Sequence, residues 1–465
     1  MEKRKYSVTP QDRMNYVLGL YSADQQINAV LYFPVGISKE ILEESVRITL
    51  QLQPVLNSRF VENDIPYWEE HSSDTNSSIC FFAEGNNQEL EIMAIDFIKE
   101  PGDRIQGPMV QTKLLRGTTI DMLVVKLSHL CSDGAGVKEY IKLLGTIYTH
   151  LSLGRSKKQI IKEFDEGNES CRDQSHVFKY AGISDIKSAY RPNQEQQASL
   201  WSFPSQPNKN KFPQMSVRRL SHKQTLRLTQ WTKAQQVTLN DVIMTAYFRV
   251  LSHFTVYAEP RTAEKMIGLT IDLRRYLPNN TTGAICNLSG MEMPVIKMED
   301  DETFKQTLVR VKQSMDKIKS QNPGLSSAAG MELLAEMKLS TVKEMYNQQY
   351  EQAVQMGMAL PLLTNLGVIA EEPIQFGQIQ AEDGYMASPI MYAPFFSMGA
   401  SSYNGRLTFT IGYHAPDTSK EKVEKFLDSV ANQLSEIKEN IENRFLTELY
   451  FRGSYHVRII SGNFL

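Results

Sequence analysis

One short stretch holds the residues best suited to chemistry, His129-Leu130-Cys131-Ser132-Asp133-Gly134. It follows the apolar run Leu123 to Leu127 and precedes an amphipathic segment expected to turn helical near Val137. An imidazole titrates near neutral pH. A histidine released at the end of a buried strand, then turned by Asp-Gly into a helix, suits a general base on a rigid support. The competing reading is a core histidine with satisfied hydrogen bonds. Cys131 offers a nucleophile, but no second base besides His129 stands near it in sequence, and that weighs against it. The backbone N–H groups of Gly134 to Gly136, at the positive end of the coming helix, are candidate donors to a developing oxyanion.

Several elements must position this stretch. Asn28 to Val35 reads as a strand, followed by a helix capped by Ser38 with Ile41, Leu42, Val46 and Leu50 on one face. Gly107 to Leu115 and Ile120 to Leu127 read as two more strands. After the histidine, Val137, Tyr140, Ile141, Leu144, Ile147, Tyr148 and Leu151 recur at spacings of three and four, a stripe that faces a core. From about Ser152 to Gln214 the periodicity weakens, and polar stretches such as NQEQQ and SQPNKNKFPQ suggest a crossover. The second half restarts with a charged helical segment, Leu220 to Val237. A helix capped by Thr238 runs through Leu251, a strand spans Ile267 to Ile271, a polar-faced helix Glu302 to Ser320, and a strand Arg406 to Tyr413. A last helix opens on the capping box Thr418 to Glu421, its stripe running from Val423 to Ile441. Tyr403-Asn404-Gly405 reads as a hairpin turn. Each half closes with a strand, a histidine (His129, His414), a loop and a helix, although the second copy lacks Asp-Gly.

The chain has 465 residues, 41% apolar and 22% charged, enough to bury two sizeable cores. A formal net charge of -3 gives no electrostatic case for nucleic acid or an anionic membrane. No apolar run reaches the roughly 18 residues of a membrane span, and the start has no apolar stretch of the kind a signal peptide needs. Cys80, Cys131, Cys171 and Cys286 show no paired spacing, so they read as reduced thiols of a cytoplasmic protein with no metal framework.

Further motifs follow in order: Pro54 to Phe60 (PVLNSRF), Asp272 to Pro278 (DLRRYLP), Gly283 to Asn287, Thr364 to Gly367 (TNLG) and Ser401 to Arg406 (SSYNGR). Together with the His129 stretch, these resemble the condensation-domain and alcohol-acetyltransferase superfamily over roughly residues 5–440. The resemblance implies an α/β fold: two chloramphenicol-acetyltransferase-like domains forming a V-shaped pseudo-dimer with a central tunnel. The halves would be 1–185, carrying HxxxDG, and 216–442, with a crossover linker at 186–215 and a tail at 443–465 whose sequence follows no pattern and reads equally as a docked strand or as disorder. His129 matches the catalytic histidine of the motif. Ser128 stands where condensation domains often have a second histidine, which weakens the case for peptide-synthetase chemistry. Asp133 matches the motif aspartate, whose family role is a structural salt bridge to an arginine that Arg274 matches. Gly134 matches the glycine that allows close approach. Ser128, Asn365 and Ser401 are candidate oxyanion or substrate contacts.

The implied function is an acyltransferase that moves an acyl group from a thioester to a hydroxyl or amine, with no permanently bound cofactor and no metal. Acyl-CoA is the expected co-substrate. The alternatives are a stand-alone condensation protein using a carrier-protein thioester, and a catalytically silent binding module of the same fold. A monomer is expected, because the fold is already a pseudo-dimer. The methionine-rich stretch Met331 to Met358 reads as core, with an acyl-chain lining as the alternative.

Overall fold

The computed structural model describes residues 4–71, 79–103, 105–166, 171–192, 201–206, 208, 210–255 and 263–437. The NQEQQ run, Ile441 and the tail 443–465 lie outside the described residues. The architecture is mixed α/β around two main sheets.

The first sheet has five strands in the order Asp383–Ala387, Gln26–Pro34, Ile120–Ser128, Val110–Arg116, Cys80–Glu84. Gln26–Pro34 and Ile120–Ser128 pair antiparallel along their whole length, from Gln26 opposite Ser128 to Pro34 opposite Ile120. Side chains alternate between faces. Leu31, Leu123, Val125 and Leu127 join Val46 of the helix Lys39–Leu52 and Val137, Tyr140 and Leu144 of the helix Gly134–Ser152. Val30, Met122 and Val124 face Leu90, Ala94 and Phe97 of the helix Glu89–Lys99. Both faces are covered, which explains why Leu123 to Val125 is apolar without alternation.

The second sheet has eight strands, with Gly268–Asp272, Leu362–Val368, Ser397–Tyr403 and Arg406–Ala415 at its centre. Its core is filled from the helices Leu239–Phe254 and Lys420–Glu436. Asn404 and Gly405 both have positive φ, 45° and 70°, and close the hairpin between Ser397–Tyr403 and Arg406–Ala415.

Three expectations are revised. The helix after His129 begins at Gly134, not near Val137, because Asp133 itself is the cap and accepts the Gly136 amide. The last helix is capped by Ser419, not by a box opening at Thr418. Thr418 is buried and bridges Ser205 instead. The polar crossover also contributes to the second core. Trp201 and Phe203 are buried there, and Phe212–Arg219 pairs with Arg406–Ala415 over eight positions.

The two halves exchange strands, so sequence order and spatial membership part company. Asp383–Ala387, from the second half, forms the edge of the first sheet beside Gln26–Pro34. Ala23–Asp24, from the first half, pairs with Ile390–Met391 in the second sheet. Asp383 anchors this exchange by accepting from Arg406 at 2.7 Å and Arg219 at 3.2 Å. The Arg219 guanidinium also lies over the rings of Tyr32 and Tyr385, at 4.6 and 4.7 Å from their centroids. Asp383→Ala strips both arginines of their carboxylate and should cost roughly 1–3 kcal/mol, less than a fully buried pair because solvent reaches this one. Urea denaturation measures it, and an unchanged midpoint would contradict this role.

Candidate active site

His129 stands one residue past the strand Ile120–Ser128, in the turn that leads to Asp133. Its amide donates to the Gln25 carbonyl at 2.8 Å, which extends the sheet pairing by one bond and fixes the backbone. Its Nδ1 lies 2.9 Å from the Ser132 carbonyl and 3.2 Å from Asn287 Oδ1. Both partners are acceptors, so they assign the proton to Nδ1 and leave Nε2 with its lone pair. Part of the imidazole surface is open, but protein surrounds the ring, and this burial holds its pKa below the ordinary histidine value. At pH 7 the ring is neutral, the form a general base requires.

Asp133 and Arg274 form a buried ion pair, Oδ2 to guanidinium at 2.8 Å, with 3% and 2% of the side chains exposed. Burial opposes ionisation of Asp133. The Arg274 charge, with donors from the Gly136 and Leu288 amides, outweighs that penalty and holds the carboxyl below its usual range. The Ser289 hydroxyl is a further donor, at 3.2 Å. Arg274 also donates to the Cys286 carbonyl at 3.0 Å, and that same carbonyl accepts the Asp133 amide. The loop 129–136 is thereby stitched to residues 272–289 of the other half. The glycines make this fit possible. A Cβ on Gly134 would lie 2.4 Å from Leu366, and one on Gly136 would lie 2.4 Å from Ser132 Oγ and 3.0 Å from the Cys286 carbonyl.

A second buried carboxylate, Asp12, supports the histidine through Asn287, and neither it nor its partner Arg172 stands out in the sequence. It accepts from Arg172 at 2.8 Å, from Trp68 Nε1 at 3.0 Å and from Asn287 Nδ2 at 3.0 Å. Asn287 Nδ2 also lies 3.1 Å from the carbonyls of His129 and Leu130, and Arg172 reaches the Cys131 carbonyl at 3.1 Å. Asn287 thus connects Asp12 to both the backbone and the ring of His129. Its position inside the Gly283-to-Asn287 motif was the available signal. Asp12 and Arg172 are isolated polar residues with no local pattern to mark them.

The remaining candidates fall in different places. Ser401 is held on the second sheet, where its hydroxyl accepts the Met386 amide at 2.9 Å and so pins the exchanged strand. Asn365 is engaged at both ends of its amide, by Asn240 at 3.0 Å and by the Gly367 amide at 2.9 Å. Ser128 adjoins His129 and lines a cavity beside it. The Gly136 amide is spent on the Asp133 cap, so the helix start retains the amides of Gly134 and Ala135, which have no acceptor within the helix. Cys131 is buried, and burial pushes its thiol up to about 12, leaving it protonated and a poor nucleophile. His414 is buried, with Nδ1 3.3 Å from the Met391 carbonyl. The methionine-rich stretch forms two helices, Leu325–Ala335 and Leu339–Met356, whose Leu339 and Val342 enter the first core.

A family model for the condensation domain matches residues 2–451. No curated protein sequence matches the chain closely enough to count as a relative. Solved structures share its fold. The trichothecene 15-O-acetyltransferase TRI3 from Fusarium sporotrichioides superposes with a TM-score of 0.66 at 12% identity, covering 94% of this chain and 95% of that one. The epimerization domain from the third module of tyrocidine synthetase B gives 0.65 at 15% identity, covering 95% and 97%. The first condensation domain of the CDA synthetase gives 0.60 at 12% identity, covering 93% and 97%.

Removing one partner of a buried pair leaves the other charge uncompensated. Asp133→Ala should therefore lower unfolding free energy by about 3–5 kcal/mol, and the double variant with Arg274→Met should recover much of it. Chemical denaturation checks both. Full stability of Asp133→Ala, with activity lost as completely as in His129→Ala, would contradict the structural role.

Proposed function

The chain belongs to the condensation-domain family, and from that premise and the geometry around His129 we propose that it is an acyltransferase. It moves an acyl group from a thioester, acyl-CoA in our reading, to a hydroxyl or amine. The observation that carries the proposal is the orientation of His129, whose Nδ1 faces two acceptors while Nε2 keeps its lone pair.

In this reading Nε2 takes the proton of the acceptor O–H or N–H as that oxygen or nitrogen attacks the thioester carbon. The new C–O or C–N bond forms, and the carbonyl electron pair moves onto oxygen. We assign the amides of Gly134 and Ala135, at the positive end of the helix Gly134–Ser152, as the donors to that negative charge. Collapse of the tetrahedral intermediate breaks the C–S bond, and the departing thiolate takes the proton back from Nε2–H. The step needs neither a covalent acyl-enzyme nor an oxidant. Asp133 and Arg274 hold the loop without touching the reacting atoms.

Thiol release from acyl-CoAs of graded chain length, with mixed alcohols and amines as acceptors, tests the proposal. Acceptor-dependent release should fall about 10²–10⁴-fold in His129→Ala. Because burial depresses the His129 pKa, kcat/KM should already be on its plateau at pH 7, and should fall about tenfold per pH unit only below the histidine's own value, which lies under 6.5. A variant as active as wild type, or a profile still climbing above pH 7, would contradict the assignment of the base. A folded protein that releases thiol from no CoA ester would point to a carrier-bound donor.

A further inference from the structure

A groove of about 1090 Å³ opens in the second half, at the upper end of the range for ligand sites, and the mechanism proposed above uses none of its side chains. One wall is the helix Phe304–Lys319. Its Leu308, Val311 and Met315 enter the second core, whereas Arg310, Gln313, Ser314, Lys317 and Ile318 recur at helical spacing on the face that lines the groove. Met291 of the edge strand Ser289–Glu292 and the strand Val295–Lys297 form another wall.

The lining divides into apolar and cationic parts. Met291, Met293, Val295 and Ile318 are half-buried. Around them stand Arg191, Lys297, Arg310 and Lys317 against Glu264 and Glu292, a cationic excess in a chain of formal net charge -3. Arg310 is committed to Glu302, and Glu292 accepts the Gly324 amide at 2.6 Å. Glu264 stands opposite Lys297 in the strand pair. Arg191, Lys297 and Lys317 are exposed and form no ion pair among the described residues. The backbone under the Arg191 guanidinium is fixed, because the Ser326 hydroxyl accepts its amide at 2.9 Å and donates to its carbonyl at 3.1 Å. An added peptide strand does not suit this groove. The Met291 amide already donates to Ser327 Oγ at 2.7 Å and the Val295 amide to Ser314 Oγ at 3.2 Å, so the edge has spent donors that strand addition needs. What fits is a ligand with an apolar body, to which the methionines adapt, and an anionic end for the free cations.

We infer that this groove binds a small amphipathic anion, an aliphatic body ending in a carboxylate or a phosphate. His129 does not line the groove, and the inference does not rest on the acyltransferase reading. Isothermal titration of the full chain with octanoate, octyl phosphate, octyltrimethylammonium and acetate tests it. Octanoate, octyl phosphate or both should bind at about millimolar concentration or below, and the tighter of the two names the anionic end. Octyltrimethylammonium has the same body with the opposite charge, and acetate has the charge without the body. Each should bind at least about tenfold more weakly. The double variant Lys297→Gln with Lys317→Gln should weaken anion binding about fivefold with Tm unchanged, since neither exposed side chain has an ion pair to lose. Should it fail to fold, Lys317→Gln alone serves, with a loss of about twofold. His129→Ala should bind as wild type does. Equal binding of the cationic amphiphile or of acetate, binding unchanged in the folded lysine variant, binding lost in His129→Ala, or no binding of either anionic amphiphile would overturn the inference.

Discussion

The ion pair between Asp133 and Arg274 is the interaction on which the geometry of the site depends. Each charge is removed from water, and each is surrounded by further donors or acceptors: the amides of Gly136 and Leu288 and the Ser289 hydroxyl on the carboxylate, the Cys286 carbonyl on the guanidinium. Buried pairs of this kind contribute little net stability compared with well-packed apolar side chains. Here the pair fixes position. It caps the helix Gly134–Ser152, docks residues 272–289 against the loop that carries the histidine, and brings Asn287 within reach of the ring.

Given that docking, the second carboxylate becomes intelligible. Asp12 sits in the first turn of the helix Pro10–Tyr21, with its charge met by Arg172 and its remaining acceptor capacity filled by Trp68 and Asn287. Four distant parts of the sequence converge there. The result is a histidine held from three directions: by Gln25 at its amide, by Ser132 at Nδ1 and by Asn287 at both its carbonyl and its ring. Little freedom remains for the tautomer or the ring.

What the sequence reveals and what it hides follow from the range of the signals. The strand Ile120–Ser128, the turn and the helix after it are legible because the apolar run, the Asp-Gly cap and the stripe from Val137 to Tyr148 are contiguous. The Asp133–Arg274 pair spans 141 positions and was reachable only through resemblance, not through spacing. Asp12 and Arg172 could not be found at all, since one charged residue in a polar segment looks like any solvated one until the fold buries it. Strand exchange was equally hidden. Asp383–Ala387 is five residues with an internal glycine, too short and too mixed to show a period, and its place is set by pairing with Gln26–Pro34. At the last helix, Thr418 and Ser419 are both good caps, and the bridge from Thr418 to Ser205 decides between them.

The central claim is that His129 presents a neutral Nε2 with the proton fixed on Nδ1. Nitrogen-15 NMR of protein labelled at histidine, with the His129 signals identified by their loss in His129→Gln, measures this directly. The account predicts, at pH 7, a protonated pyrrole-type Nδ1 and an unprotonated pyridine-type Nε2. The opposite tautomer, or an imidazolium at that pH, would contradict it.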